Sequence, residues 1–198
     1  MISGFLINST SSDGINITSI YNYFVIKNCK IIGNKTHSFN GIVLSQVKNG
    51  LIDNNIISFN ENGIFCNDST SLIVMQNNII TNNNNSGIKF EHAGDYHKHD
   101  TIRYNQISNN TRGISTITFR YNDIYYNDIT NNSVGLSFSM CLCGAGQNNI
   151  TYNNISHNQI GIAISSIREV ISKNSFYNNS DYSIYIVPSS YGHMIFFK

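Results

Sequence analysis

The sequence predicts an all-β solenoid, a single-stranded parallel β-helix of seven to eight coils of 22–27 residues. Three observations predict it. One skeleton, Asn-x-Ile-x-x-Asn-x-x-Gly-Ile, recurs along almost the whole chain. Its glycine falls at Gly14, Gly41, Gly63, Gly87, Gly113, Gly135 and Gly161, with Ser183 in the last place, at steps of 22–27 residues. Apolar residues come in short alternating groups such as Gly161-Ile162-Ala163-Ile164, and no window holds a helical spacing long enough for a substantial helix. A period in the twenties marks repeats that bury their apolar faces only against their neighbours. Alternation puts every second side chain on one face, which is a strand signature.

The repeats can be followed in order. Asn55, Ile57, Asn60, Gly63 and Ile64 fit the skeleton, as do Asn105, Ile107, Asn110, Gly113 and Ile114. Asn127, Ile129, Asn132, Gly135 and Leu136 follow, and then Asn153, Ile155, Asn158, Gly161 and Ile162. Asn77, Ile79, Asn82, Gly87 and Ile88 fit with an insertion before the glycine, and the last copy decays to Asn174, Phe176, Asn179, Ser183 and Ile184. Each apolar group ends at Asn or Gly, the residues that most easily take positive φ at a sharp corner. Stacked coils would set Asn above Asn, and each amide would bond the coils above and below, satisfying buried corner groups. A leucine-rich repeat has a similar period but needs a Leu-x-x-Leu-x-Leu pattern, and here Ile fills the inward slots.

The chain has 198 residues, one domain's worth, with 12% charged residues and a net charge of +1. That balance gives no reason to expect nucleic acid or an anionic membrane as partner. Residues 1–24 read as an irregular N-terminal segment with a first coil at Gly14, 25–186 as the β-helix, and 187–198 as a C-terminal cap or association tail, open to self-association. Cys66 and Cys29 should point inward as small buried hydrophobes. Cys141 and Cys143 lie in an outer loop, as a strained disulfide, a soft-metal pair or free thiols. No spacing matches a structural zinc site, and neither metal nor other cofactor is expected. No secretory signal or membrane span is visible.

Body positions are committed to packing, so function should lie on loops leaving the coils. Two stand out. One runs from Glu91 through His92, Asp95, Tyr96, His97, Lys98 and His99 to Asp100, followed by Arg103. The other spans Ser139 to Gln147. Both leave their coils just after a strand ending in Phe and should emerge on one side, two coils or ~10 Å apart. Arg120 and Tyr121 fill the strip between them. Several chemistries fit the first loop. His97 and His99 could hold a metal with Glu91 or Asp95. His99 beside Asp100, with Tyr96 returning a proton and Lys98 or Arg103 neutralising a carboxylate, could do acid–base work on a sugar acid. Plain saccharide binding would use stacking on Tyr96 and Tyr121, with acids and amides bonding hydroxyls. Glu91, His92, Asp95, His97, Arg103, Arg120 and Tyr121 are the expected ligand-binding set, and His99, Asp100, Tyr96 and Lys98 the catalytic candidates.

The repeat at 105–114, 127–136 and 153–162 resembles the right-handed parallel β-helix repeats of the NosD-like and carbohydrate-binding/sugar-hydrolase group. The resemblance covers about residues 25–186. It implies a right-handed coil and an extracellular or cell-surface protein that meets polysaccharide. That group includes pectin-active enzymes and alginate C5-epimerases, and His99-Asp100 looks like the end of the Asp-Pro-His-Asp segment of those epimerases, with His97 and Lys98 replacing its Asp and Pro. The paired Asp motifs of polygalacturonases are missing. The expected function is therefore a non-catalytic surface module that binds polysaccharide or serves an adhesive or structural role. The alternative is a uronan C5-epimerase or lyase using the 91–103 loop.

Overall fold

A computed structural model describes residues 1–36, 38–91, 97–117, 119–139, 146–188 and 192–196. The described residues form a parallel solenoid of about seven turns with three sheets of 11, 8 and 8 strands and no helix. Each turn contributes one strand to each sheet in the same order. In one turn, for example, Ser71–Gln76 lies in the first sheet, Ile79–Thr81 in the second and Ser86–Glu91 in the third.

The repeat skeleton maps onto this geometry, except that the copy read at Asn77, Ile79 and Asn82 lies one residue later, on Asn78, Ile80 and Asn83, and Ile79 is exposed. Its central Ile is the inward residue of the second sheet, where Ile31, Ile57, Ile80, Ile107, Ile129 and Ile155 stack in register, all fully buried. The Ile after the glycine fills the inward column of the third sheet: Ile42, Ile64, Ile88, Ile114, Leu136 and Ile162. Cys66 lies in the next inward column of that sheet, between Leu44 and Phe90, and both it and Cys29 are buried. Each fully buried aliphatic chain contributes ~1.5–3 kcal/mol relative to exposure, so the core is a set of columns running the length of the molecule.

The two asparagines of the skeleton form two continuous ladders. In one, Asn55, Asn78, Asn105, Asn127 and Asn153 each donate backbone N–H and side-chain Nδ2 to the Oδ1 of the next member, ending at Asn174, with distances of 2.9–3.0 Å. In the other, Asn60, Asn83, Asn110, Asn132 and Asn158 donate in the same way, ending at Asn179, at 2.9–3.4 Å. The ladder amides are thus paired from coil to coil, as burial demands.

The corner conformation differs from the expectation. The positive φ belongs to the residue before each ladder asparagine, as at Asn54, Asn77, Tyr104, Tyr126 and Tyr152, all between 54° and 56°. The ladder residue turns in and the preceding residue stands out. The skeleton glycines do not have positive φ. They are there for close approach: a Cβ on Gly63 would sit 2.6 Å from the carbonyl oxygen of Gly87 and 2.6 Å from Cγ2 of Ile80, inside contact distance. At the C-terminal end, Met194–Phe196 pairs with Val170–Ser172 as one more strand of the first sheet, and at the N-terminal end Ile2–Ser3 and Leu6–Ser9 already pair with the following coil.

Candidate functional site

The corner from the third sheet to the first carries the predicted loops. Glu91 ends one strand of the third sheet and Ser139 another, with Ile117 between them and in register with Ser139. Residues 92–96 and 140–145, which include His92, Asp95, Tyr96, Cys141 and Cys143, lie outside the described residues.

On the far side of this corner the chain repeats the same device of an outward residue at positive φ followed by an inward ladder residue. His99, Tyr121, Gln147 and Arg168 have φ of 57–63°. Asp100, Asn122, Asn148 and Glu169 follow them as a third ladder. The N–H of Asp100 donates to Asn122 Oδ1 at 2.7 Å, that of Asn122 to Asn148 Oδ1 at 3.1 Å, that of Asn148 to Glu169 Oε2 at 2.9 Å and that of Glu169 to His193 Nδ1 at 3.2 Å. Sequence reading missed this ladder because asparagine holds only its middle two places, with Asp100 before them and Glu169 after. His99 and Asp100, adjacent in sequence, face opposite ways: the imidazole is exposed, while the carboxyl is 1% exposed and accepts from the N–H of Ile73 at 2.8 Å. Burial raises the Asp100 carboxyl to about 8, and its Oδ2 has no hydrogen-bond partner among the described residues. Burial, and then the nearby Asp100, push the Cys66 thiol well up, against a hydrogen bond from Thr70.

Four of the predicted residues come together on the outside. His97–Lys98 pairs in register with Phe119–Arg120, so Lys98 and Arg120 are direct neighbours on adjacent coils. The rings of His99 and Tyr121 stack with centroids 6.0 Å apart and planes 12° from parallel. The Arg120 guanidinium lies 4.9 Å over the Tyr121 ring and reaches Gln147 Oε1 at 3.4 Å. The result is a strip of two cations and two stacked rings on a flat corner, which can hold a planar or ring-shaped ligand by stacking and hydrogen bonding. Two other predicted residues stand apart. Glu91 is held by Lys89 at 2.6 Å. Arg103 lies across the first sheet, bonded to Gln76 Oε1 at 2.8 and 3.0 Å and to the Tyr125 hydroxyl at 3.0 Å.

Sequence reading also missed an aromatic ladder on the next corner. Tyr104, Tyr126 and Tyr152 take the outward positive-φ places and stack at 5.3 and 5.0 Å. Lys173 continues the column, its Nζ 2.7 Å from the Tyr152 hydroxyl. The signal was available: each tyrosine directly precedes a ladder asparagine.

A family model described as periplasmic copper-binding protein (NosD) matches residues 2–140. No curated protein matches the chain. Among solved structures, the Azotobacter vinelandii mannuronan C-5 epimerase AlgE4 A-module is similar at a TM-score of 0.67 and 15% identity, covering 96% of this chain and 58% of that one. A mutant of the periplasmic alginate epimerase AlgG is similar at 0.64 and 16%, covering 97% and 48%. A tailspike protein, gp49 from Acinetobacter baumannii bacteriophage Fri1, a capsular polysaccharide depolymerase, is similar at 0.54 and 10%, covering 96% and 41%. The chain thus spans about half the length of the structures it matches, and at these identities the likeness is one of fold.

Copper, which the family description names, was tested against the chain's own donors. Among the described residues no three of His, Cys, Asp and Glu form a group that could hold a metal ion. The described residues therefore do not fit a copper site, and no chemistry is derived through one. No helix among them is long and apolar enough to cross a membrane.

Proposed function

The chain belongs to the NosD family of β-helix proteins, and on that premise we propose that it is an extracellular or cell-surface module that binds polysaccharide without turning it over. The binding surface is the strip of Lys98, His99, Arg120 and Tyr121; Glu91 and Arg103 stand apart from it, and His92, Asp95, Tyr96 and His97 belong to the proposed set on the sequence alone. The observation that carries this reading is the opposed orientation of His99 and Asp100. A carboxylate that orients a catalytic imidazole, or shares a proton with it, must lie within hydrogen-bond distance of it, and here the ladder holds the carboxyl inside while the imidazole stacks on Tyr121 outside. Stacked rings beside an ammonium and a planar guanidinium suit ligand binding. The fold-level likeness to proteins that act on polysaccharides supports the ligand class by analogy only.

The test is NMR of a panel of neutral and acidic polysaccharides with the purified chain, following the anomeric and uronate signals. Broadened signals with no new species are expected. New signals would replace this reading with the enzymatic one, an epimerase or lyase centred on residues 91–103. A silent panel would overturn polysaccharide binding altogether.

A further inference from the structure

We propose that the C-terminal strand is an acid-released cap on the solenoid, latched by His193 as the last rung of the third ladder. Met194–Phe196 pairs in register with Val170–Ser172, which sets His193 beside Glu169 and Gly192 beside Arg168. Every rung of this ladder works in one way: the backbone N–H of one coil donates to a side-chain acceptor of the next. Asn122 and Asn148 offer an amide oxygen and Glu169 a carboxyl oxygen. His193 offers the lone pair of Nδ1, 3.2 Å from the N–H of Glu169, and the N–H of Met194 then donates to the Glu169 carbonyl at 2.9 Å. Little else holds so short an edge strand, since the side chains of Met194 and Phe196 are both exposed.

An imidazole accepts at a ring nitrogen only while it is neutral. With Nδ1 accepting, the ring proton sits on Nε2, which is buried without a hydrogen-bond partner among the described residues. Protonation puts a second N–H on Nδ1, facing the N–H of Glu169. The last rung then sets donor against donor, and the new charge finds no acceptor at either nitrogen. An asparagine rung cannot fail in this way, because its amide does not titrate. The surrounding charges do not offset the loss. On the neighbouring coil they are Arg168, Glu169 and Lys173. Arg168 is a second cation, its stem against Gly192, and Lys173 is bonded to the Tyr152 hydroxyl at the far end of the strand. The Glu169 carboxyl accepts from Asn148 and Ser166, and burial pushes it up to about 7. It is therefore largely neutral when the imidazole, which burial holds below its ordinary value, takes up its proton. The last strand of the third sheet, Tyr182–Ile186, brings two tyrosines and no charge.

Ile195 and Phe196 wall a recess of about 220 Å³ at this end, together with Ile171, Phe176 and Ile184. Release of the strand opens that apolar end and bares the edge of Val170–Ser172 for pairing with another strand. Hydrogen exchange from pH 7.5 to pH 5, corrected for the intrinsic rate at each pH, tests the latch. The Met194–Phe196 amides should be protected at pH 7.5. Their protection should fall by up to about tenfold per pH unit below ~6.5, the ordinary histidine value, as one linked proton requires. The amides of Thr101–Arg103, inside the same sheet, should stay protected throughout. His193→Asn places the ladder's own amide in the last rung and should keep the strand protected at pH 5. Unchanged protection of the parent down to pH 5 would overturn the latch. An equal loss in the parent and in His193→Asn would overturn the assignment to His193. If the asparagine does not seat and that variant is unprotected already at pH 7.5, the onset in the parent decides: a loss that begins near 6.5 upholds the latch, and one that begins only in the carboxylate range overturns it.

Discussion

The backbone N–H of Asp100 donates to Oδ1 of Asn122 at 2.7 Å. A carboxyl group therefore occupies a ladder place that Asn122 and Asn148 fill with amides in the next two coils. An amide there both accepts and donates. An ionised carboxylate only accepts, and the Oδ2 of Asp100 is buried without a partner among the described residues.

Stability should fall with rising pH. Burial raises Asp100 from 3.8 to about 8 and Glu169 from 4.5 to about 7, the latter against hydrogen bonds from Ser166 and Asn148. The folded chain therefore binds these protons more tightly than the unfolded chain. Their contribution is fully present below the unfolded values and is lost as pH rises through about 7 and about 8. The slope is at most ~1.4 kcal/mol per pH unit for each proton. Urea midpoints at pH 5 should exceed those at pH 8.5. A flat or rising profile would count against protonated buried acids.

Asp100→Asn should restore the missing donor. The variant is expected to exceed the parent by ~1–3 kcal/mol at pH 8.5, where the parent's carboxyl ionises, and to lie close to it at pH 5. A melt series at both values checks this. Lower stability at pH 8.5 would mean that the carboxylate is better satisfied than the ladder geometry indicates.

The asparagine ladders should carry large, site-dependent energies. Asn127 accepts from the backbone and side chain of Asn105 and donates to Ile102, Tyr125 and Asn153. Asn127→Ala leaves several buried groups unpaired and should cost ~2–4 kcal/mol. Asn149→Ala removes an exposed amide that touches only Asp123 among the described side-chain contacts, and should stay within ~0.5 kcal/mol. Denaturant unfolding of both variants separates ladder bonding from general loss of asparagine.

Two glycines should fail for different reasons. A Cβ on Gly113 would meet the Gly135 carbonyl oxygen at 2.5 Å, so Gly113→Ala must push neighbouring coils apart and should cost ~3 kcal/mol or more. Gly4 has open space around its Cβ position but a φ of +76°. Gly4→Ala should cost only the ~1–2 kcal/mol of a left-handed backbone. Similar losses in both would contradict the close-approach explanation.

The repeat skeleton by itself determined the coil, the inward isoleucine columns and two of the three ladders. The reason is that stacking sets equivalent residues above one another. Asn105, Asn127 and Asn153 must each bond the next coil through the same atoms, so one residue type recurs and the periodicity can be read along the chain. The glycines were legible in the same way, but their cause was not, because the clash at Gly63 or Gly113 involves a residue one coil away. The tertiary structure alone decided the corner between the third and first sheets. Insertions there change the spacing from coil to coil, and Asp100, Asn122, Asn148, Glu169 and His193 share a column that mixes carboxyls, amides and an imidazole. Only hydrogen-bond register reveals that His99 and Asp100 face opposite sides, or that Lys98 and Arg120, from adjacent coils, are neighbours on one edge of one sheet. Outward residues meet solvent or ligand, so stacking imposes no common identity on them, and their alignment appears only when the coils are closed.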